Sequence, residues 1–215
     1  MSATPTPAKQ TRGSKQSRKE IMDNIRAAAI SEFSQHGFIG ASTQAIAERA
    51  GLKKSQLHYY IEDKESLYAE VLGQLMSAWS KLFVFGAEGS CTPRQILSDY
   101  VRQKLEFALD HPEISRIFTN ELLSGGSRLE AFWPSALSIT QRKVDRLQMW
   151  VDQGIVRPLN PRLLIMNIWA LTQYYSDYAV QAELILGKSL QSPELQREIL
   201  DELVSFVLAG CNLKD

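Results

Sequence analysis

Apolar residues recur every three or four positions along most of the chain, and no stretch alternates apolar with polar over the length of a strand. The pattern predicts an all-α protein. Residues 19–35 form a first helix, with Ile21, Ile25, Ala28, Ala29 and Phe33 on one face. Gly37 ends it, and Phe38 and Ile39 tuck under as the next apolar contact. Residues 42–64 then read as two short helices around a tight turn. Ser42 or Thr43 caps the first of these, Ala45, Ile46 and Ala50 form its apolar face, and Gly51 breaks it as a residue that tolerates positive φ. In the second, Leu57 and Ile61 are four apart and point inward. Ser55, Gln56, His58 and Tyr59 are left on the other side. Short helices at a glycine turn, one presenting amide, imidazole and phenol groups, make a helix-turn-helix of the kind that enters a major groove.

A longer helix follows over 63–85, capped by Asp63, with Leu67, Val71, Leu75, Ala78 and Leu82 as its stripe. It is long enough to leave the reading helices and end inside a second domain. Further helices are predicted near 93–110, 112–123, 128–153, 160–187 and 193–209, separated by Gly and Pro signals. On the last, Leu195, Ile199, Leu203, Phe206 and Val207 make a stripe more apolar than a chain end needs. It predicts a homodimer in which the last two helices form a four-helix bundle across a two-fold axis.

The 215 residues suffice for one domain or two small ones. Net charge is zero, but its distribution is uneven: residues 1–20 hold Lys9, Arg12, Lys15, Arg18 and Lys19 against Glu20. Residues 1–17 read as a disordered basic arm, able to reach a minor groove or to act as a solvated tail. Cys91 and Cys211 are two lone thiols, which argues against a disulfide framework and for a reducing cytoplasm. The N-terminus carries no apolar leader, and the run 163–171, interrupted by Asn167, is too short for a membrane span.

His36, His58 and His111 lie in three separate segments, none with a partner at metal-ligand spacing, and neither cysteine sits beside a histidine. The expectation is no metal, no cofactor and no enzyme. On the recognition helix, Gln56 and His58 are expected to meet base edges. Lys54, Ser55, Tyr59, Tyr60 and Lys64 are expected at phosphates, with the helix starts at Thr43 and Lys54 adding their dipoles. In the stretch 168–175, Trp169, Thr172, Gln173 and Ser176 share one helix face. That face reads either as a helix–helix interface with satisfied polar groups or as a pocket for a small flat ligand.

The run Phe33, Gly37, Phe38, Thr43, Ile46, Ala47, Ala50, Gly51, then Leu57 to Ile61, Lys64 and Leu67 resembles the DNA-binding domain of the TetR family of bacterial repressors. The chain departs from that pattern at Tyr60, where the family often carries His, and at Ile61, where it often carries an aromatic. The segments 99–106, 115–123 and 169–177 resemble the C-terminal domain of the family's pyrimidine-utilisation branch. The resemblance implies an N-terminal helix-turn-helix domain (18–62) and a C-terminal domain for ligand and partner (63–215). It implies double-stranded operator DNA as partner, a bacterial nucleoid location, and release by a small planar nitrogen heterocycle, uracil-like or nicotinate-like. It places ring and amide contacts at Trp79, Trp169 and Gln173, a charge at Arg102 or Lys104, and further contacts at Asn120 and Tyr174. An effector-independent DNA-binding protein of the same fold, and an efflux regulator with a broad pocket, stand as alternatives.

Overall fold

The computed structural model describes residues 17–82, 85 and 91–213. Among these residues every regular element is a helix. Ten are numbered here: α1 (Arg18–Gly40), α2 (Thr43–Arg49), α3 (Lys54–Tyr60), α4 (Lys64–Leu82), α5 (Pro93–Asp110), α6 (Pro112–Leu123), α7 (Trp133–Asp152), α8 (Pro161–Asp177), α9 (Ala179–Leu186) and α10 (Pro193–Gly210). A 3₁₀ turn, Ser127–Phe132, precedes α7. Arm residues 1–16 and the expected break at 86–90 fall outside the described residues.

The helix starts follow local chemistry. Ser17 and Glu20 exchange side-chain and backbone bonds at the head of α1, and Thr92 and Gln95 do so at the head of α5. The backbone N–H of Ser66 donates to the Asp63 carboxylate at 2.7 Å, and that of Asp63 to the Ser66 hydroxyl at 3.1 Å, so Asp63 caps α4. Within α1, Gly37 stands at φ +63°, and the chain turns there before Gly40. Phe38 packs inward, whereas Ile39 is 90% exposed, which corrects its expected apolar contact.

Two other boundaries differ from the expectation. The helix expected over 128–153 begins only at Trp133, because Pro134 has no N–H to donate and its ring crowds the preceding turn. The helix expected over 160–187 breaks at Tyr178 (φ −114°, ψ 32°), giving α8 and α9.

The molecule is built on two cores. The N-terminal core joins Ile25, Phe33, Ile46, Leu57, Ile61 and Leu72, and it also takes in Ile117 of α6 and Leu129. The packing of α6 on α1 is the most extensive between any two described helices. The C-terminal core is formed by α5, α7, α8 and α10. Trp79 and Phe107 pack against both.

Leu195, Ile199 and Leu203, expected at a dimer interface, are 2, 5 and 6% exposed within the single chain. Their stripe fills the protomer's own core against α5 and α8. Phe206 alone of that group points outward, at 63% exposed.

Candidate functional site

The α2–turn–α3 unit is held from within. Leu57 is fully buried and Ile61 nearly so, and the Leu52 N–H reaches back to the Ala47 carbonyl at 2.8 Å. Gly51, at φ +73°, makes the turn, which a side chain there would strain. Behind the turn, buried Glu32 accepts from the Ser42 N–H at 3.1 Å and faces Arg49 at 3.8 Å. The Ser42 hydroxyl caps α2, leaving Thr43 half-buried in the first turn.

With that interior filled, Lys54, Ser55, Gln56, His58 and Tyr59 of α3 are exposed, and Tyr60 is half-buried, edge-on to Tyr59 at 5.3 Å. The Gln56 carbonyl oxygen accepts from the Lys53 N–H at 2.9 Å, which fixes the side chain at the head of α3 and leaves its amide N–H groups facing outward chemistry.

Lys64 is placed differently from the expectation of a phosphate contact. Its ammonium donates to the carbonyls of Ala41 (3.0 Å) and Ile39 (3.4 Å) and lies 4.7 Å from the Phe38 ring centroid. It ties the start of α4 to the corner between α1 and α2. The carbonyls there have no partner further along a helix, so a nearby ammonium is drawn to them.

In the C-terminal domain, the Trp169 indole donates to the Tyr100 hydroxyl at 2.7 Å. The Gln173 amide donates to Thr119 at 3.0 Å, and Thr119 donates to Asp177 at 2.7 Å. Ser176 and Ser115 extend this network from α8 to α6. Trp79 lies edge-on to Phe118 (4.6 Å) and Phe107 (5.9 Å), with the Lys104 ammonium 4.9 Å from its ring centroid. The Lys143 ammonium lies 4.8 Å from the Tyr100 ring centroid. Burial, and then the charge of Lys143, push Lys104 down to about 7. Burial, and then Arg142, push Lys143 down to about 8. Burial pushes the Tyr100 hydroxyl up to about 12.

The structure therefore gathers Trp79, Lys104, Trp169 and Gln173 around α5 and α6, with Asn120 half-buried on α6 beside Thr119. It does not gather Arg102 or Tyr174. Arg102 is exposed and lines an open groove with Asp201, Ser205 and Asn212 on the far side of α5. Tyr174 stacks on Tyr178 at 5.3 Å and bonds Gln181 at 2.9 Å, facing α9. Tyr100, Thr119, Asp177 and Lys143 were not singled out as site residues from sequence. Tyr100, Thr119 and Asp177 lie inside segments that carried the resemblance; Lys143 gave no signal beyond helical periodicity.

Among the described residues no three His, Cys, Asp or Glu side chains are grouped to hold a metal ion, and no helix is long and apolar enough to cross a membrane.

Residues 25–71 match the family of bacterial regulatory proteins, tetR family, and residues 70–214 match the YcdC-like protein C-terminal region. The HTH-type transcriptional regulator RutR of Escherichia coli strain K12 is 33% identical over 210 residues, covering 97% of this chain and 96% of its own. This chain belongs to the TetR family. The HTH-type transcriptional repressor NicS of Pseudomonas putida is 29% identical over 104 residues, covering 48% of this chain and 49% of its own. A tetR-family regulatory protein from Rhodococcus RHA1 shares the fold at a TM-score of 0.73 and 18% identity, covering 93% of this chain and all of that one. The TetR assignment makes the chain a DNA-binding, helix-turn-helix regulator of transcription. The matched tetR family and the relative RutR are transcriptional regulators and not enzymes.

Proposed function

We propose that the chain is a repressor that binds a near-palindromic operator as a homodimer and is released by a small planar nitrogen heterocycle. Residues up to 62 read DNA and residues 63–215 serve effector and partner copy. The observation that carries the reading is the joint placement of two things: an exposed polar row on α3, and an indole–amide–aromatic cluster tied through Thr119 to α6, the helix that lies on α1. Gln56 and His58 supply base readout, and Lys54, Ser55, Tyr59 and Tyr60 supply phosphate contacts. Trp79 and Trp169 bury the faces of a flat ring, and Gln173 matches an amide-like edge.

The partner copy sits on the outer faces of α8 and α10, where Leu163, Met166 and Phe206 are 56, 57 and 63% exposed. A permanent interface of this kind buries roughly 2,000 Å² or more in total. Two-fold symmetry places half-sites ~34–36 Å apart, or a multiple of that.

The alternative, effector-independent binding, has one observation on its side: Trp169 and Gln173 each already have a partner inside the protein. Gel-shift titration of the chain's own promoter region with uracil and pyridine carboxylates separates the two. Selective retardation that a heterocycle reverses by 5- to 150-fold in affinity, the range of a ~1–3 kcal/mol coupling, is the expected result. Retardation that no heterocycle reverses would favour the alternative, and no selective retardation would sink both.

A further inference from the structure

A cavity of about 350 Å³ opens where α8 gives way to α9. Three elements wall it: Arg116 of α6, Asp177 at the end of α8, and Tyr178, Val180 and Leu184 around the head of α9. Its volume falls within the range of small-molecule sites, roughly 300–1,000 Å³. Tyr178 is held by its stack on Tyr174 at 5.3 Å. Val180 and Leu184 are 74 and 78% exposed, so the apolar wall stands uncovered.

The two charges in this cavity do not pair. Arg116 is half-buried, its Nε is buried, and that N–H has no acceptor among the described residues. A guanidinium cannot shed its proton, so the mismatch persists until an acceptor arrives. Asp177, also half-buried, lies within hydrogen-bond distance of the hydroxyls of Thr119 (2.7 Å), Ser176 (3.1 Å) and Ser115 (3.3 Å). All three are neutral groups. Among the described residues neither Arg116 nor Asp177 forms an ion pair, although both line the one cavity.

We propose that this cavity binds a free α-amino acid with an apolar side chain. Its carboxylate meets Arg116, its ammonium meets Asp177, and its side chain lies along Tyr178, Val180 and Leu184. An α-amino acid carries both charges on one carbon and sends its side chain in a third direction. That matches a cation, an anion and an apolar wall around one space, and both polar contacts are charge-assisted. A simple acid leaves Asp177 without a cation, and a simple amine leaves Arg116 without an acceptor. A planar heterocycle brings no ammonium to Asp177. The cavity shares no lining residue with the cluster at Trp79, Trp169 and Gln173. Thr119 nevertheless joins the two, since it bonds both Asp177 and Gln173. The inference goes beyond the effector reading above and does not rest on it.

The test is isothermal titration calorimetry on the full chain. The probes are L-leucine, L-phenylalanine, isocaproate (leucine without its ammonium), isoamylamine (leucine without its carboxylate) and L-aspartate. The expected result is that L-leucine or L-phenylalanine binds about tenfold or more tighter than each of the other three. Arg116→Gln and Asp177→Asn should each weaken that binding by about tenfold or more, and Arg116→Lys should weaken it less than Arg116→Gln. Melting curves verify the fold of each variant. Wild-type protein that binds neither amino acid would overturn the inference, as would isocaproate binding as tightly as L-leucine. So would full-strength binding by a folded Arg116→Gln. A second copy of the chain is the competing occupant: if no amino acid binds and Arg116→Gln sediments as a monomer where wild type is a dimer, the face belongs to that copy and the inference falls. All of these outcomes leave the effector reading standing, because the heterocycle titrations test it separately.

Discussion

Leu203 and Phe206 are three residues apart on α10 and have opposite surroundings. Leu203 is 6% exposed in the C-terminal core, and Phe206 is 63% exposed. Leu203→Asp would bury an unmatched carboxylate and leave a cavity, which costs several kcal/mol. The expected outcome is loss of the folded protein, seen as a collapsed melting transition. Phe206→Glu should instead melt near the wild-type temperature and sediment as a monomer. Lys64 makes a similar contrast with Lys54. Lys54→Ala, removing an exposed cation on α3, should lower the salt slope of operator binding by about 1. Lys64→Ala frees two carbonyls at the α1–α2 corner and should lower melting temperature while barely changing that slope. Lys104 adds a dependence on pH. Its folded-state value near 7 lies below the ordinary 10.5, so the unfolded chain holds a proton that the folded chain has released between those limits. Stability should therefore rise with pH across that window, by up to ~1.4 kcal/mol per unit, and fall as pH drops toward 7. Lys104→Met should flatten that slope in urea titrations at pH 7, 8 and 9.

At the scale of elements, the helices most legible in sequence were those with written signals at both ends. Helix α5 has Thr92 and Pro93 at its start and His111–Pro112 after it, and the structure agrees to the residue. Tyr178 ends α8 without any Gly or Pro, so nothing in the pattern announced that break. The apolar stripe of α10 was legible, but not its destination, because a core face and a partner face are written in the same residues. The indole and amide of the proposed effector site were legible; their partners Tyr100 and Thr119 were not, since hydrogen bonds between residues more than fifty apart leave no local period. Helix α4 was expected to run from the reading helices into the second domain. The structure adds α6, whose Thr119 bonds Gln173 and whose Glu121 bonds Tyr68 at 3.2 Å and the Arg128 N–H at 3.1 Å. Arg128 in turn lies 3.8 Å from the Phe38 ring centroid and bonds Glu65 at 2.7 Å. Glu121→Gln weakens this chain of contacts without touching either end. It should reduce the effector's effect on operator affinity at least threefold while effector binding by calorimetry stays within twofold of wild type.

At the scale of the molecule, α6 bridges the two cores: it contributes Ile117 to one, and its Ser115 and Thr119 hydroxyls bond Asp177 of α8, a helix that builds the other. Any shift of α6 that suits a bound ring must be accommodated by α1, the scaffold against which the reading helices are set. That shared helix shapes what a genetic screen would return. Selecting for cells in which the target gene can no longer be switched on should yield lesions around Trp169 and also along α6. Selecting for cells in which it can no longer be switched off should yield lesions on α3 and, again, along α6. The two mutant classes, which a protein of separable modules would keep apart on its map, should here overlap on one stretch of twelve residues, Pro112–Leu123.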